Sequence, residues 1–315
     1  MYFQTAGIDV VPWLPPLVAF GISFFTSMSG VSGAFLLLPF QMSFLGYTNP
    51  SVSATNQLFN ILAIPSGVYR YFKEGRMVWP LTWVVIAGTL PGVFIGAIVR
   101  INYLPDPKKF KLFAAIVLLY IGFKMVRDLM KKKAESSNKI DSEKRFQKIV
   151  RNYRNKFDVG QNKLPSVRIT HFNYKRLGYS FYGDRFDIPF WGIFLLSFIV
   201  GIVGGIYGIG GGSIIAPFFV NYFSLPVYTV AGAALMGTFI TSVAGVIFYQ
   251  TIAPFYPTMS IAPDWLLGLL FGLGGIPGMY LGARCQKFIP ATVIKWMLTS
   301  IVFFTALKYL KGFLG

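Results

Sequence analysis

The sequence predicts an all-α polytopic membrane protein that consists of two inverted structural repeats with broken, re-entrant helix hairpins, separated by a small α+β cytoplasmic insert. Three observations lead to this fold class. Hydrophobic residues make up 54% of the 315 residues and charged residues only 13%, about half the charged fraction of soluble domains. Several apolar runs reach the roughly 20 residues that cross a bilayer as a helix. Glycines and prolines also recur at matching positions in the two halves.

The apolar runs set the order of the elements. Four precede a polar, basic segment and four follow it, so we divide the chain into a first membrane repeat at 1–127, an insert at 128–187 and a second membrane repeat at 188–315. The runs lie at about 11–45, 52–69, 78–99 and 110–125, and then at 188–225, 227–252, 262–283 and 291–310.

The helix-breaking residues of the two halves are in register. A shift of 186 positions aligns Pro91, Gly92 and Gly96 with the same residue types in the second half, which we interpret as packing and hinge elements. A shift of 178 positions places Gly30, Gly33, Pro39, Gly67 and Tyr71 on Gly208, Gly211, Pro217, Gly245 and Tyr249. Chance agreement of apolar residues would not align these positions, and such doubled interruptions are typical of transporter binding sites.

The distribution of positive charge predicts how the halves are oriented. The stretch 124–187 holds 17 of the 29 Lys and Arg residues, and basic loops stay in the cytoplasm. The loop at 70–76 is basic too, whereas its counterpart at 250–263 has no Lys or Arg. This asymmetry favours inverted repeats in which each interrupted run of about 35 residues spans once and then returns. Parallel repeats of four simple spans are the alternative, favoured by the basic residues at 100–111, which inversion places outside.

The insert is predicted to be a small α+β module. Apolar residues at helical spacing predict a helix at 142–157. Alternating residues predict strands at 166–172 and 179–182, separated by a turn near Leu177 and Gly178. We expect an ordered linker that contacts anionic headgroups; a regulatory or partner-binding domain is the alternative.

The longest interruption is the glycine-rich stretch 204–217. Glycine weakens a helix by about 1 kcal/mol relative to alanine and proline by about 3 kcal/mol, and unpaired peptide groups in hydrocarbon cost several kcal/mol each. The break is therefore tolerable only where protein, water or a ligand satisfies it. We interpret it as a binding site, with close helix packing through small residues as the alternative.

The chemistry of the two breaks favours a small anionic substrate. Peptide N–H groups at a helix start attract negative charge, and no predicted span has the central carboxylate that proton pumps and cation carriers use. The stretch lacks the Gly-Lys-Ser/Thr ending of a phosphate-binding loop, and no nucleic-acid partner is expected. The substrate-binding candidates at the breaks are Gly30, Ser32 and Gly33, and Gly208, Gly210, Gly211, Gly212 and Ser213.

Polar side chains in the helices that follow the breaks extend this site. Asn56 and Asn60 share a helix face, with Gln57 adjacent, and carboxamides can hold sulfonate or sulfite oxygens without adding a fixed charge. Hydrogen bonding between helices is the alternative, and we favour it for Thr241 and Ser242. The substrate-binding candidates in these helices are Asn56, Gln57, Asn60 and Thr238.

Catalysis and metal binding are not expected. The single cysteine excludes an internal disulfide, and the single histidine, His171, lies in the insert. With no nucleophile–base pair in the spans, we expect no enzymatic activity, cofactor or metal. Arg100 and Arg284 fall near helix ends, where their side chains are expected to extend to the lipid headgroups; attraction of an anion to a vestibule is the alternative.

At these residues the chain resembles the sulfite exporter TauE/SafE family, also called the toluene sulfonate uptake permeases. The resemblance rests on residues 208–217, on Ala231-Gly232-Ala233, and on a weaker first copy at 30–39 with 53–56. It implies secondary transport of small sulfur-containing anions (sulfite, sulfoacetate or related organosulfonates) across a prokaryotic inner membrane. The first copy departs from the second, and the insert is longer than the short central loop expected for the family.

The predicted function is therefore alternating-access transport of such an anion by a multi-pass protein surrounded by membrane lipids. Coupling to protons or another ion, and a homodimer, stay open. The alternative is a non-transporting membrane receptor or scaffold that acts through the basic insert.

Overall fold

The computed structural model is mostly helical and describes residues 1–28, 31–131, 167–181, 184–212, 214–286, 289 and 291–314. Two short strands, β1 (Tyr2–Phe3) and β2 (Ile8–Asp9), pair before the first helix. The first half then contains α1 (Leu14–Ser27), α2 (Ala34–Ser43), α3 (Ser51–Lys73), α4 (Trp79–Asn102) and α5 (Pro107–Lys131). The second half contains α6 (Phe190–Tyr207), α7 (Ile215–Tyr222), α8 (Val227–Ile252), a 3-10 turn (Ala253–Phe255), α9 (Trp265–Cys285) and α10 (Ala291–Leu314).

Each of the two long apolar runs forms a pair of helices. The 14 residues of α1 and the 10 of α2 are separated by the break at 28–33, and α6 and α7 are separated at 208–214. The second break begins at Gly208, which has φ 77° and donates its N–H back to the last turn of α6. This left-handed ending suits glycine because glycine has no Cβ.

Four helices in the described part of the chain are both long and apolar enough to cross a membrane. They are Trp79–Asn102, Phe190–Tyr207, Thr229–Phe255 and Trp265–Cys285. The helices α3, α5 and α10 have 23 to 25 residues and match them in length. The polar residues that lower the hydropathy of α3 are those of the candidate site.

Glycines spaced four residues apart bring pairs of helices into close contact. A methyl group on Gly92 of α4 would lie 2.6 Å from the carbonyl oxygen of Phe198 in α6, and one on Gly278 of α9 would lie 2.5 Å from that of Phe20 in α1. Each half thus packs its fourth helix against the first helix of the other half. The packing role predicted for these glycines is confirmed.

The contacts between helices also fix their relative directions. Along α3, Gln57 meets Gly245 of α8 whereas Gly67 meets Leu235, so these two helices run antiparallel. The pairs α1–α9 and α4–α6 each run in the same direction, because their contacts advance together along both helices.

The described part of the insert is a three-stranded antiparallel sheet, formed by β3 (Arg168–Phe172), β4 (Arg176–Phe181) and β5 (Asp184–Pro189) in that order. The turn predicted near Leu177 and Gly178 is wrong, since both residues lie within β4. The chain reverses earlier because the Asn173 side chain accepts the N–H groups of Lys175 and Arg176 at 3.0 and 2.8 Å. The helix predicted at 142–157 lies outside the described residues.

The sheet is attached to the helical body. Tyr179 is buried and its hydroxyl lies 2.9 Å from that of Thr229 at the start of α8, while Val167 donates its N–H to the carbonyl of Gly75. Burial raises the pKa of Tyr179 above its ordinary value, so the hydroxyl keeps its proton for this hydrogen bond. β5 continues directly into α6, so the sheet is attached to the helical body at three points.

Arg100 corrects the prediction made for the two arginines near helix ends. Its side chain is fully buried rather than directed toward headgroups. The guanidinium carbon lies 3.9 Å from the centre of the Phe110 ring, and Nη1 donates to the carbonyl of Leu104. α5 follows a short turn after α4, so Phe110 and Leu104 cover the end of α4. Arg284 is exposed, as expected.

Candidate functional site

The two breaks lie next to each other, and an asparagine of α3 joins them. The Asn56 Nδ2 atom lies 3.0 Å from the carbonyl oxygen of Ala34 at the first break and 3.3 Å from that of Gly208 at the second. Its Oδ1 accepts a hydrogen bond of 3.2 Å from Gln41 of α2. One buried carboxamide therefore fixes both breaks against α3.

Asn60, one turn further along α3, makes a second connection. Its Nδ2 donates to the carbonyl of Ile209 at 2.9 Å and to the hydroxyl of Ser242 in α8 at 3.1 Å. Its Oδ1 accepts from the hydroxyl of Ser32, which in turn accepts the N–H of Ala34 at 3.2 Å. The sequence predicted that these amides face the breaks. In this conformation, however, their N–H groups bind protein oxygens.

The glycines of the second break fit closely against their neighbours. Gly210 has φ 80°, and a methyl group there would lie 2.8 Å from the Ser242 hydroxyl. A methyl on Gly212 would lie 2.7 Å from the Thr238 hydroxyl, and one on Gly211 would lie 2.5 Å from the Cβ of Thr89. Close packing therefore accounts for part of the glycine content.

Several peptide N–H groups at the breaks have no acceptor in the part of the chain that the structure describes. Gly211 donates its N–H to the hydroxyl of Thr241 at 3.0 Å. Within the described residues, no hydrogen-bond acceptor serves the N–H groups of Ser32 and Gly33 at the first break, or those of Gly210 and Gly212 at the second. All four residues are buried, and burying an unpaired N–H is costly. An anion or water between the breaks would satisfy them.

Of the other predicted site residues, Gln57 and Thr238 make no hydrogen bond to either break among the described residues. Gln57 is buried and faces Gly245, and within the described chain neither polar atom of its carboxamide has a hydrogen-bond partner. The Thr238 hydroxyl donates within its own helix, to the carbonyl of Ala234 at 2.9 Å. Gly30 and Ser213 lie outside the described residues, so their prediction is untested.

Three residues in contact with the site were not among the predicted binding residues. Gln41 holds Asn56, and a buried amide in an otherwise apolar run was the signal available for it. Thr241 and Ser242 were interpreted as links between helices: Ser242 does link α8 to Asn60 of α3, and Thr241 accepts the N–H of Gly211 at the second break. Within the described residues, no group of three or more His, Cys, Asp or Glu side chains could hold a metal ion.

Comparison with known proteins agrees with this architecture. The chain is 28% identical over 118 residues to probable membrane transporter protein YdhB of Bacillus subtilis (strain 168), which is 38% of this chain and 45% of that protein. It is 23% identical over 265 residues to probable membrane transporter protein YunE of the same organism, covering 82% and 81% of the two chains. The first match thus spans less than half the length of its relative. No solved structure matches the chain.

A family model described as sulfite exporter TauE/SafE matches residues 16–309, from the start of α1 to the last turns of α10. Both breaks, the asparagines of α3 and the four candidate spans lie within the matched range. The chain therefore belongs to the sulfite exporter TauE/SafE family, a membrane-transporter family, and it is a multi-pass protein of the cell membrane.

Proposed function

We propose that the protein is a secondary transporter that moves small sulfur-containing anions, such as sulfite, sulfoacetate or related organosulfonates, across a prokaryotic inner membrane. One observation carries the proposal: two interrupted membrane segments meet in a buried place, and peptide N–H groups from both have no acceptor among the described residues. Donors that converge from two helix starts suit an anion, and the family description supplies the sulfur chemistry.

The composition of the site supports an anion over a cation. The polar side chains in contact with the two breaks are amides and hydroxyls, and no carboxylate is among those described. Amides and hydroxyls can both donate hydrogen bonds to sulfonate or sulfite oxygens. Cation carriers use acidic side chains at this depth.

We infer that the two halves are inverted repeats, with the insert in the cytoplasm. Support comes from the antiparallel course of α3 and α8, which hold equivalent places in the two halves. The packing between the halves is also reciprocal: the first helix of each half packs against the fourth helix of the other, α1 against α9 and α6 against α4. An axis in the membrane plane relates repeats of this kind in many secondary transporters.

Alternating access would arise from rocking one half against the other. Asn56 and Asn60 belong to the first half and bind the carbonyls of Gly208 and Ile209 in the second. These bonds would break or exchange for bonds to the substrate when the halves separate. The described conformation, with both breaks buried, corresponds to a closed step of such a cycle.

Flux into proteoliposomes tests the proposal. Purified protein should give saturable uptake of radiolabelled sulfite or sulfoacetate above that of empty vesicles, and unlabelled organosulfonates should compete with it. Labelled sodium or rubidium at equal concentration serves as the cation control. Uptake equal to that of empty vesicles for every anion would overturn the proposal.

The receptor or scaffold alternative draws on the attachment of the sheet to α8 through Tyr179 and Thr229. Deletion of 131–185 separates the two functions. Transport that survives the deletion makes the insert accessory. Loss of partner binding with no transport in the intact protein would favour the receptor.

A further inference from the structure

Arg100, near the end of α4, carries a positive charge that no ion pair among the described residues neutralises. Its side chain has no exposed surface, and none of the ion pairs among described residues includes it. An arginine does not lose its proton in proteins, so burial leaves the charge in place. A buried cation without a partner costs several kcal/mol, which calls for a counter-ion.

The unpaired part of this guanidinium is one complete edge. Nη1 donates to the carbonyl of Leu104, whereas Nε and Nη2 have no hydrogen-bond partner within the described chain. The N–H bonds of Nε and Nη2 point the same way and form a fork. Such a fork matches two oxygens of a single oxyanion, which makes the recognition bidentate.

Two buried hydroxyl groups, those of Tyr249 and Ser53, lie in the neighbourhood of Arg100. Tyr249 of α8 is fully buried, close enough to Arg100 to interact with its charge, and has no hydrogen-bond partner by geometry among the described residues. Ser53 of α3 neighbours the Tyr249 hydroxyl, and it also contacts Gly208, where a methyl group would collide with it. Tyr249 and Ser53 therefore lie between Arg100 and the second break.

The surroundings of these groups are apolar. Tyr249 packs in a buried cluster with Ala54, Ala97 and Ile101, and the Phe110 ring covers one face of the guanidinium. Walls of this kind exclude bulk water, and they strengthen the attraction between Arg100 and an anion.

At the equivalent place in the other half, polar groups of the protein pair with one another. The shifts that relate the halves put Gln286 opposite Arg100 and Tyr71 opposite Tyr249. There the Gln286 Oε1 atom accepts from the Tyr71 hydroxyl at 3.2 Å and from Arg76 at 2.9 Å. Glu74 forms an ion pair with that arginine. The Glu74 carboxylate therefore neutralises Arg76 at this place, whereas no described carboxylate neutralises Arg100 in the other half.

We propose that Arg100, Tyr249 and Ser53 form an oxyanion-binding site next to the second break, which takes a sulfite or sulfonate group through two of its oxygens. The inference rests on the proposed function, because it makes this site a station for the transported anion. The anion would bind here on its way to or from the breaks. A halide offers one atom to the fork and binds more weakly.

Equilibrium binding to the purified, detergent-solubilised protein tests the site. Arg100→Gln should raise the dissociation constant for sulfite by about tenfold or more, as expected for the loss of charge-assisted hydrogen bonds. Arg100→Lys should fall between that variant and the unsubstituted protein because it keeps the charge and loses the fork. Arg284→Gln, at an exposed arginine, should leave the constant unchanged, and chloride should compete poorly with sulfite.

Sulfite binding by Arg100→Gln that equals the binding by Arg284→Gln would overturn the site. If Arg100→Gln does not elute as a folded species in gel filtration, Tyr249→Phe removes one hydroxyl and should weaken binding about threefold. In a structure with selenite, anomalous density should then lie at Arg100 Nε and Nη2; water alone there would contradict the site.

Binding that depends on Arg100 without any flux would remove the proposed function and keep this site. Flux with an unchanged KM in Arg100→Gln would do the reverse.

Discussion

The two breaks hold equivalent places in the two halves, yet different chemistry holds each of them. The second break uses two glycines with positive φ: Gly208, which packs closely against Ser53 of α3, and Gly210, which packs closely against α8. The first break uses the Ser32 hydroxyl, which caps the N–H of Ala34 and donates to Asn60. Backbone freedom shapes one break and a side-chain hydrogen bond shapes the other.

The partner helices differ in the same way. α3 sends Asn56 and Asn60 to both breaks, whereas the equivalent Thr238 of α8 bonds to its own helix. The interruptions recur in both halves, whereas the second half has Ala234 and Thr238 in place of the two asparagines. Binding energy for a substrate should therefore be distributed unequally between the halves, and paired substitutions at equivalent positions can measure the difference.

The largest expected effect comes from Gly210→Ala. An alanine at φ 80° costs about 1–2 kcal/mol in backbone energy, and its methyl group would lie 2.8 Å from the Ser242 hydroxyl, which adds about 1–3 kcal/mol. We expect loss of flux and a clearly lower melting temperature in detergent.

Gly33→Ala is the control at the first break, one position beyond Ser32, which is the equivalent of Gly210. Gly33 has a helical φ of −56°, so only the contacts with Ser23 and Phe59 oppose the methyl group, at about 1 kcal/mol. Equal losses of melting temperature in the two variants would show that the breaks tolerate side chains alike.

Asn60→Ala should come next. The change removes three hydrogen bonds and leaves the buried Ser32 hydroxyl without its acceptor, which we expect to cost about 3 kcal/mol. Thr238→Ala, at the equivalent position, loses one bond within a helix and should cost less than about 1 kcal/mol. Flux and melting temperature measure both variants. A larger effect at Thr238 would reverse the assignment of the carboxamides as the stronger partners.

Gly245→Ala in α8 and Gly67→Ala in α3 compare how closely the two helices are packed at equivalent positions. Its methyl group would lie 2.7 Å from the Gln57 carboxamide carbon, so we expect a loss of about 1–3 kcal/mol. At the equivalent Gly67 the nearest atom would be the Met279 sulfur at an ordinary 3.5 Å, and alanine should be neutral or slightly stabilising in the helix. Thermal unfolding compares the two, and equal shifts would contradict the unequal packing.

Thr241→Val should have the smallest effect of the set. It removes the acceptor of the Gly211 N–H at 3.0 Å, and an unpaired buried N–H costs about 1–2 kcal/mol. Thr251→Val is the control, because Thr251 makes the same bond to its own helix at an exposed position of α8. The melting temperature should fall only for Thr241→Val; a matching fall for Thr251→Val would mean that the hydroxyl acts within the helix alone.

The sequence by itself determined where the membrane segments are interrupted. Glycine and proline act on their own stretch of backbone, so Gly208 and the doubled spacing of such residues predict the breaks without knowledge of the fold. The shared face of Asn56 and Asn60 follows from helix periodicity in the same way. Alternation predicted a strand at 166–172, and the structure has β3 at 168–172. It did not predict β5, which has only two large apolar residues, Phe186 and Ile188, between charged residues and a proline.

Only the tertiary structure decided which groups complete one another. The burial of Arg100 depends on Phe110 closing over it after the turn into α5, and the contact of Ser242 with Asn60 joins residues 182 positions apart. Such pairings depend on helix packing, which local propensity does not encode. For the same reason the sequence located both breaks but did not show that the asparagine N–H groups would be occupied by protein carbonyls.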